Sequence, residues 1–180
     1  IQRILFIDQG GYPFGEEGKR LLGQVILAMA KHHPDKNFVI KPRYLPDEMV
    51  ANVLHHPSEH IYDFIQNPPD NLILLRKPSI LEDILKDFDA VVTMWSTAYL
   101  DAALRNIPVM LIRGLPSQEV ADVRVQRIEE AFSRLEHTGC VVEYQKVLEG
   151  ALEFHYVNEA YLKEEVEIVD RPCTPEIIDV

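Results

Sequence analysis

Asp89 to Arg113 reads DAVVTMWSTAYLDAALRNIPVMLIR. Ala90 to Met94 is an apolar, β-branched run, too short for a buried helix and suited to a strand covered on both faces. Ser96 and Thr97 follow, and either side-chain oxygen can accept from an orphan N–H in the first turn of the helix that starts there. Tyr99, Leu100, Ala103 and Leu104 give that helix an apolar stripe, Asn106 suits its end, and Pro108 opens a second strand, Val109 to Ile112. A strand, crossover helix and strand of this length pair in parallel. Parallel sheets bind ligands beyond the carboxyl ends of their strands, where a helix start offers N–H groups to an anion. Ser96 and Thr97 are therefore candidates for holding phosphate, although a Ser-Thr pair after a strand is more often only a helix cap.

The same alternation extends upstream. Ile4 to Ile7 is a buried-strand pattern, followed by a glycine-rich turn from Asp8 to Gly15. From Glu16 to His33, Leu21, Leu22, Val25, Ile26 and Met29 recur at helical spacing, with acidic residues first and Lys31, His32 and His33 last, as the helix dipole favours. The glycines form neither GxGxxG nor a P-loop, though Gly10 and Gly11 would let backbone approach a ligand as readily as make a tight turn. Asn37 to Lys41 is the second strand. Lys41 and Arg43 close it, a cation pair well placed for phosphate at a strand's carboxyl end, or else two solvated charges. His56 and His60, four apart, would share one face of a helix, but no third ligand stands at sensible spacing and Pro57 disturbs the geometry, so no metal site is expected. Donor contact or proton transfer near neutral pH is their other reading, beside plain loop histidines.

Leu72 to Leu75 reads as a third strand, and Ser79 to Phe88 as a helix opened by Pro78 and Ser79, its inner face Leu81, Ile84, Leu85 and Phe88. Downstream, Arg113 ends a strand and is a weaker ligand candidate. Val120 to Glu136 is amphipathic through Val123, Ile128, Ala131, Phe132 and Leu135, and Gly139 breaks it. Cys140 to Tyr144 is a sixth strand. A further helix is expected from Gln145, with Val147, Leu148, Ala151, Leu152 and Phe154 apolar. The fold class is α/β, a doubly wound, mostly parallel sheet of about six strands.

At 180 residues and 47% hydrophobic composition, the chain can bury one substantial core, and a single domain is the default expectation. A net charge of -11 argues against nonspecific nucleic-acid or anionic-membrane binding, so a phosphate ligand needs a local basic spot. No apolar run approaches the roughly 18 residues of a membrane span. Cys140 and Cys173 form no CxxC pair and read as reduced thiols in a cytoplasmic setting. No GxSxG motif is present.

The run from Trp95 to Val109 resembles the segment S-S/T-x-x-x-E/D-A-x-x-x-x-x-P-V of the C-terminal, nucleotide-sugar-binding domains of GT-B glycosyltransferases, among them capsule polysaccharide and teichoic-acid-type transferases and the related sugar-nucleotide 2-epimerases. The resemblance implies that residues 1–180 are a single donor-binding domain excised from a larger two-domain protein. It assigns Ser96 and Thr97 to the donor phosphates and Asp101, where many relatives carry Glu, to the donor ribose or sugar. At Lys41 to Arg43, where many relatives have Lys-x-His-Pro, only the basic character carries over. The implied partners are a nucleotide-sugar donor, a glycan acceptor and an N-terminal acceptor domain that carries the catalytic base; no cofactor or metal is implied. The implied location is the cytoplasm, peripheral to the inner membrane through the rest of the protein. A UDP-sugar 2-epimerase-like domain, a noncatalytic α/β binding or assembly module, and a receiver-like or flavodoxin-like domain are the alternatives; the last finds only Asp8 in its favour.

Overall fold

The structure is a computed structural model, and it describes residues 1–8, 15–45, 60–94, 96, 98–115 and 123–163. Six strands form one sheet: β1 (Arg3–Ile7), β2 (Asn37–Lys41), β3 (Leu72–Leu74), β4 (Ala90–Thr93), β5 (Val109–Arg113) and β6 (Val141–Glu143). Their order is β3-β2-β1-β4-β5-β6, and every pair is parallel. Such a sheet is stable only when covered on both faces, and β4 has all four residues buried. The strand order reverses between β1 and β4, which opens a crevice at their carboxyl ends.

Side chains alternate across each strand and feed two cores. Ile4, Phe6, Ile40 and Val92 meet Leu22, Val25, Ile26 and Met29 of α1 (Gly15–His32), and Val147 of α5 (Tyr144–Leu148) joins them. Leu5, Ile7, Val39 and Val91 pack on the other face against α2 (Leu81–Leu85), α3 (Ala98–Leu104) and α4 (Val123–Leu135). A 3-10 turn, Ile61–Phe64, lies against α1 at Gly23. A Cβ there would come within 2.8 Å of the Phe64 Cβ and 3.1 Å of its carbonyl oxygen, so the close approach depends on glycine.

Several local expectations shift. In α3 the buried side chains are Ala98, Tyr99, Ala102 and Ala103, whereas Leu104 is 58% exposed, because the short helix turns it away from the sheet. α2 begins at Leu81, with Ile80 at its N-cap and no side-chain cap, so Pro78 and Ser79 belong to the preceding loop. The expected long final helix is the five-residue α5, ended at Gly150 in a left-handed conformation (φ 105). Ala151, Leu152 and Phe154 still pack on the core, outside any helix or strand, and His155 forms an antiparallel bridge with Val109 at the start of β5. Asn106 (φ 57) and Gly139 (φ 76) end their helices in the left-handed region. Ala131, Phe132 and Leu135 are buried on α4; the expectation for Val123 and Ile128 lies outside the described side chains. Burial pushes the Cys140 thiol up, so it is an inert free thiol, and Cys173 lies outside the described residues.

The carboxylate of Asp89, just before β4, accepts from the backbone N–H groups of Arg3 (2.9 Å) and Gln2 (2.7 Å) and pins the entry to β1. These two bonds, Arg3 first, hold its carboxyl below the ordinary 3.8. A depressed carboxyl adds stability above its unfolded pKa and loses it as pH falls through the folded value. Asp89→Asn is therefore expected to melt below wild type at pH 7, with the difference closing toward pH 2; thermal melts across that range check it. A constant difference would mean that the charge is irrelevant.

Candidate functional site

The carboxyl edge of the sheet is set by register. Ile7 pairs with Lys41 on one side and Thr93 on the other, so residues 41, 7 and 93 form one row. Lys41 is in phase with Val39 and Thr93 with Val91, which puts both on the α2–α3 face. At the usual strand spacing the row is about 10 Å from Lys41 to Thr93. Thr93 is fully buried, and its hydroxyl donates to the Ile7 carbonyl at 3.1 Å. Beyond β4, Ser96 Oγ accepts from the Ala98 N–H at 3.2 Å and the Ser96 carbonyl from Tyr99 at 3.1 Å. Ser96 thus caps α3. Its O–H proton is left to donate, having no acceptor among the described residues. Asp101 is half-buried in the first turn of α3, and its carbonyl accepts from Arg105. Thr97, Gly10, Gly11 and His56 lie outside the described residues.

Where β2 and β3 end, Lys41, Pro42, Arg43 and Leu45 face Lys77, Pro78 and Ser79 across a cleft of about 220 Å³. This is the basic spot that a chain of net charge -11 requires for an anion. Arg43 is exposed, its guanidinium 5.5 Å from the centre of the Tyr44 ring. The 3-10 turn braces both walls. Tyr62 Oη donates to the carbonyl of Leu75 at 2.6 Å and lies 3.4 Å from that of Ile40, joining the ends of β3 and β2. Burial pushes its phenol well above the ordinary range, which keeps it a donor. Arg76 stacks over the Tyr62 ring, 5.0 Å from its centre.

His60 is part of this brace. Its Nδ1 accepts from the Tyr62 N–H at 3.1 Å, so Nε2 carries the proton and donates to the Tyr44 carbonyl at 2.6 Å. The Asp63 carboxylate accepts from the His60 N–H at 2.7 Å and completes a capping box. His60 is a buried cap of the 3-10 turn, and among the described residues no group of three or more His, Cys, Asp or Glu could hold a metal ion.

Arg113 is engaged elsewhere. Its guanidinium contacts Glu129 at 2.8 Å, Glu136 at close range and Glu143 at 3.8 Å, tying β5 to α4 and β6. A pair that sequence reading missed stands at the end of β1: the Lys19 ammonium lies 3.0 and 3.2 Å from the two oxygens of Asp8, each side chain only 3% exposed. The Asp8 N–H donates to the Lys41 carbonyl at 2.9 Å, so the pair fixes the strand end that carries the cleft. The signal was present: Lys19, Leu22 and Ile26 fall on one helical face, which sets a lysine in an apolar stripe.

The sheet order, and a carboxyl edge that carries a cationic cleft and a capped helix start, define a Rossmann-like α/β domain. Within that class, the chain belongs to the family described as "Putative glycosyltransferase (DUF6716)", whose model matches residues 1–164. No curated protein matches the chain. Among solved structures it is similar to UDP-GlcNAc 2-epimerase from Neisseria meningitidis bound to UDP-GlcNAc, with 20% identity and a TM-score of 0.45 over 93% of this chain. The chain spans 44% of that structure. No helix among the described residues is long and apolar enough to cross a membrane.

Proposed function

We propose that this chain is the donor-binding domain of a glycosyltransferase, which moves a sugar or a glycerophosphate-like unit from a nucleotide-activated donor to a surface polysaccharide. The observation that carries this reading is the cationic cleft at the carboxyl edge of a family member whose net charge is -11. The donor phosphates lie between Ser96 and Lys41, with Thr97 as a second hydroxyl contact, Arg43 at the outer side and Asp101 reaching the ribose or sugar. As the bond from the transferred group to phosphate breaks, negative charge grows on the leaving nucleotide. The ammonium of Lys41, the guanidinium of Arg43 and the hydroxyl of Ser96 stabilise that charge. Gly10 and Gly11 are proposed as further donor contacts, on their sequence alone. A facing domain supplies the acceptor glycan and the base, and the reaction takes place on the cytoplasmic side of the membrane.

Calorimetric titration with CMP, CDP, UDP and GDP tests the reading. One nucleotide is expected to bind saturably. Arg43→Ala should weaken it about tenfold or more, the usual worth of a charge-assisted hydrogen bond to phosphate. The joint Ser96→Ala and Thr97→Ala variant should weaken it as well. Failure of all four nucleotides to bind the folded chain would sink the reading.

A further inference from the structure

The donor reading leaves Lys77 and Ser79 without a role, although both line the cleft. Arg43 and Lys77 approach it from different strand ends, and among the described residues neither is paired with a carboxylate. Two like charges facing one small cleft repel each other, and an anion between them relieves that repulsion. The walls are held in advance. The Tyr62 hydroxyl binds the carbonyl of Leu75, two residues before Lys77, and His60 binds the carbonyl of Tyr44, the residue after Arg43. One 3-10 turn therefore fixes the backbone beneath both cations, so an anion would enter a preorganised site.

β3 lies three strands from β4, so the cleft's far wall stands about 14 Å from the Ser96 turn at ordinary strand spacing. A diphosphate, whose phosphorus atoms share one oxygen, does not span that distance. We propose that Lys77 and Ser79, with Arg43 opposite, form a second phosphate subsite that takes a phosphate monoester dianion. The inference deepens the donor reading and rests on it only in taking the carboxyl edge as the ligand-bearing edge. The guanidinium offers a planar fork and the ammonium a point charge, which together suit a doubly charged phosphate better than a carboxylate. The monoester has two possible sources, a phosphate on the donor's ribose or one on the acceptor glycan.

The test is calorimetric titration of the chain with uridine 3′,5′-bisphosphate and with glycerol 3-phosphate, with glycerol as the blank. At least one ester is expected to bind. Lys77→Ala should weaken it about tenfold or more, Lys77→Arg should largely restore it, and Lys31→Ala, at an exposed position in the last turn of α1 that does not line the cleft, should leave it unchanged. Binding should also tighten from pH 5 to 7.5, as the second phosphate proton leaves at about pH 6. Selective binding of the bisphosphate assigns the subsite to the donor, and selective binding of glycerol 3-phosphate assigns it to the acceptor. If neither ester binds, or binding ignores Lys77→Ala, the subsite is overturned; nucleotide binding that weakens in the Ser96 variants alone would then leave the donor reading intact. Ester binding that depends on Lys77, with no nucleotide bound by the chain, keeps the subsite and removes the donor reading.

Discussion

Lys19→Met is expected to lower the unfolding free energy by about 3–5 kcal/mol, because it leaves the Asp8 carboxylate buried without its counter-charge. Both side chains are 3% exposed, so water cannot stand in for the missing ammonium. The reverse single variant, Asp8→Leu, strands Lys19 in the same way. Joining the two changes removes both charges from the interior, and the double variant is expected to recover most of the loss, since a buried pair replaced by apolar side chains is often neutral or better. Urea unfolding of the four proteins, followed by circular dichroism, gives the coupling between the sites directly. A loss below about 1 kcal/mol for Lys19→Met would mean that the pair is solvated in practice. The double variant also separates stability from function, because the Asp8 N–H would still bond the Lys41 carbonyl.

Phe6→Ala is expected to cost about 3–5 kcal/mol, the lost transfer energy of the ring plus the cavity left behind. Phe6 is fully buried on β1, the strand hydrogen-bonded on both sides by β2 and β4, and it packs in the core beneath α1. Neighbouring elements on both sides are held by the sheet and cannot collapse far into the gap. Ile73→Ala is the matched control. It also truncates a strand residue, but Ile73 is 50% exposed on the edge strand β3, so a change of roughly 0.5 kcal/mol or less is expected. Equal losses at the two positions in urea melts would contradict the two-core description.

The strands were legible because a sheet covered on both faces demands continuous apolar runs, and ILFI, NFVIK, AVVT and VMLI announce themselves. α1 was legible for the complementary reason: eighteen residues give its 3.6-residue period room to repeat, and its end charges agree with the dipole. Short elements were not legible. α2 and α5 have five residues each, so no period can be counted, and their ends are set by what they pack against. Leu104 was placed inward by spacing alone, yet Ala102 is the residue α3 buries in its stead.

The site divides along the same line. Residue type and a place at the carboxyl end of a strand made Lys41 and Arg43 candidates, and both line the cleft. Ser96 was readable both as a cap and as a phosphate ligand; its oxygen holds the first N–H of α3. His60 and Arg113 looked available in one dimension, and their hydrogen-bonding groups are taken up by Tyr44, Tyr62 and three glutamates drawn from other elements.

By itself the sequence determined the strand and helix alternation, the α/β class, the cation pair closing the second strand, and the acidic surroundings in which that pair must work. These follow from side-chain chemistry and short-range periodicity, which the chain carries locally. Tertiary structure alone decided that Lys77 faces Arg43, that Asp8 and Lys19 neutralise each other out of water, and that Tyr62 and His60 hold the cleft's walls. Each of these pairings joins residues brought together by strand order or by helix packing on the sheet, and that placement is settled by burying two apolar faces at once.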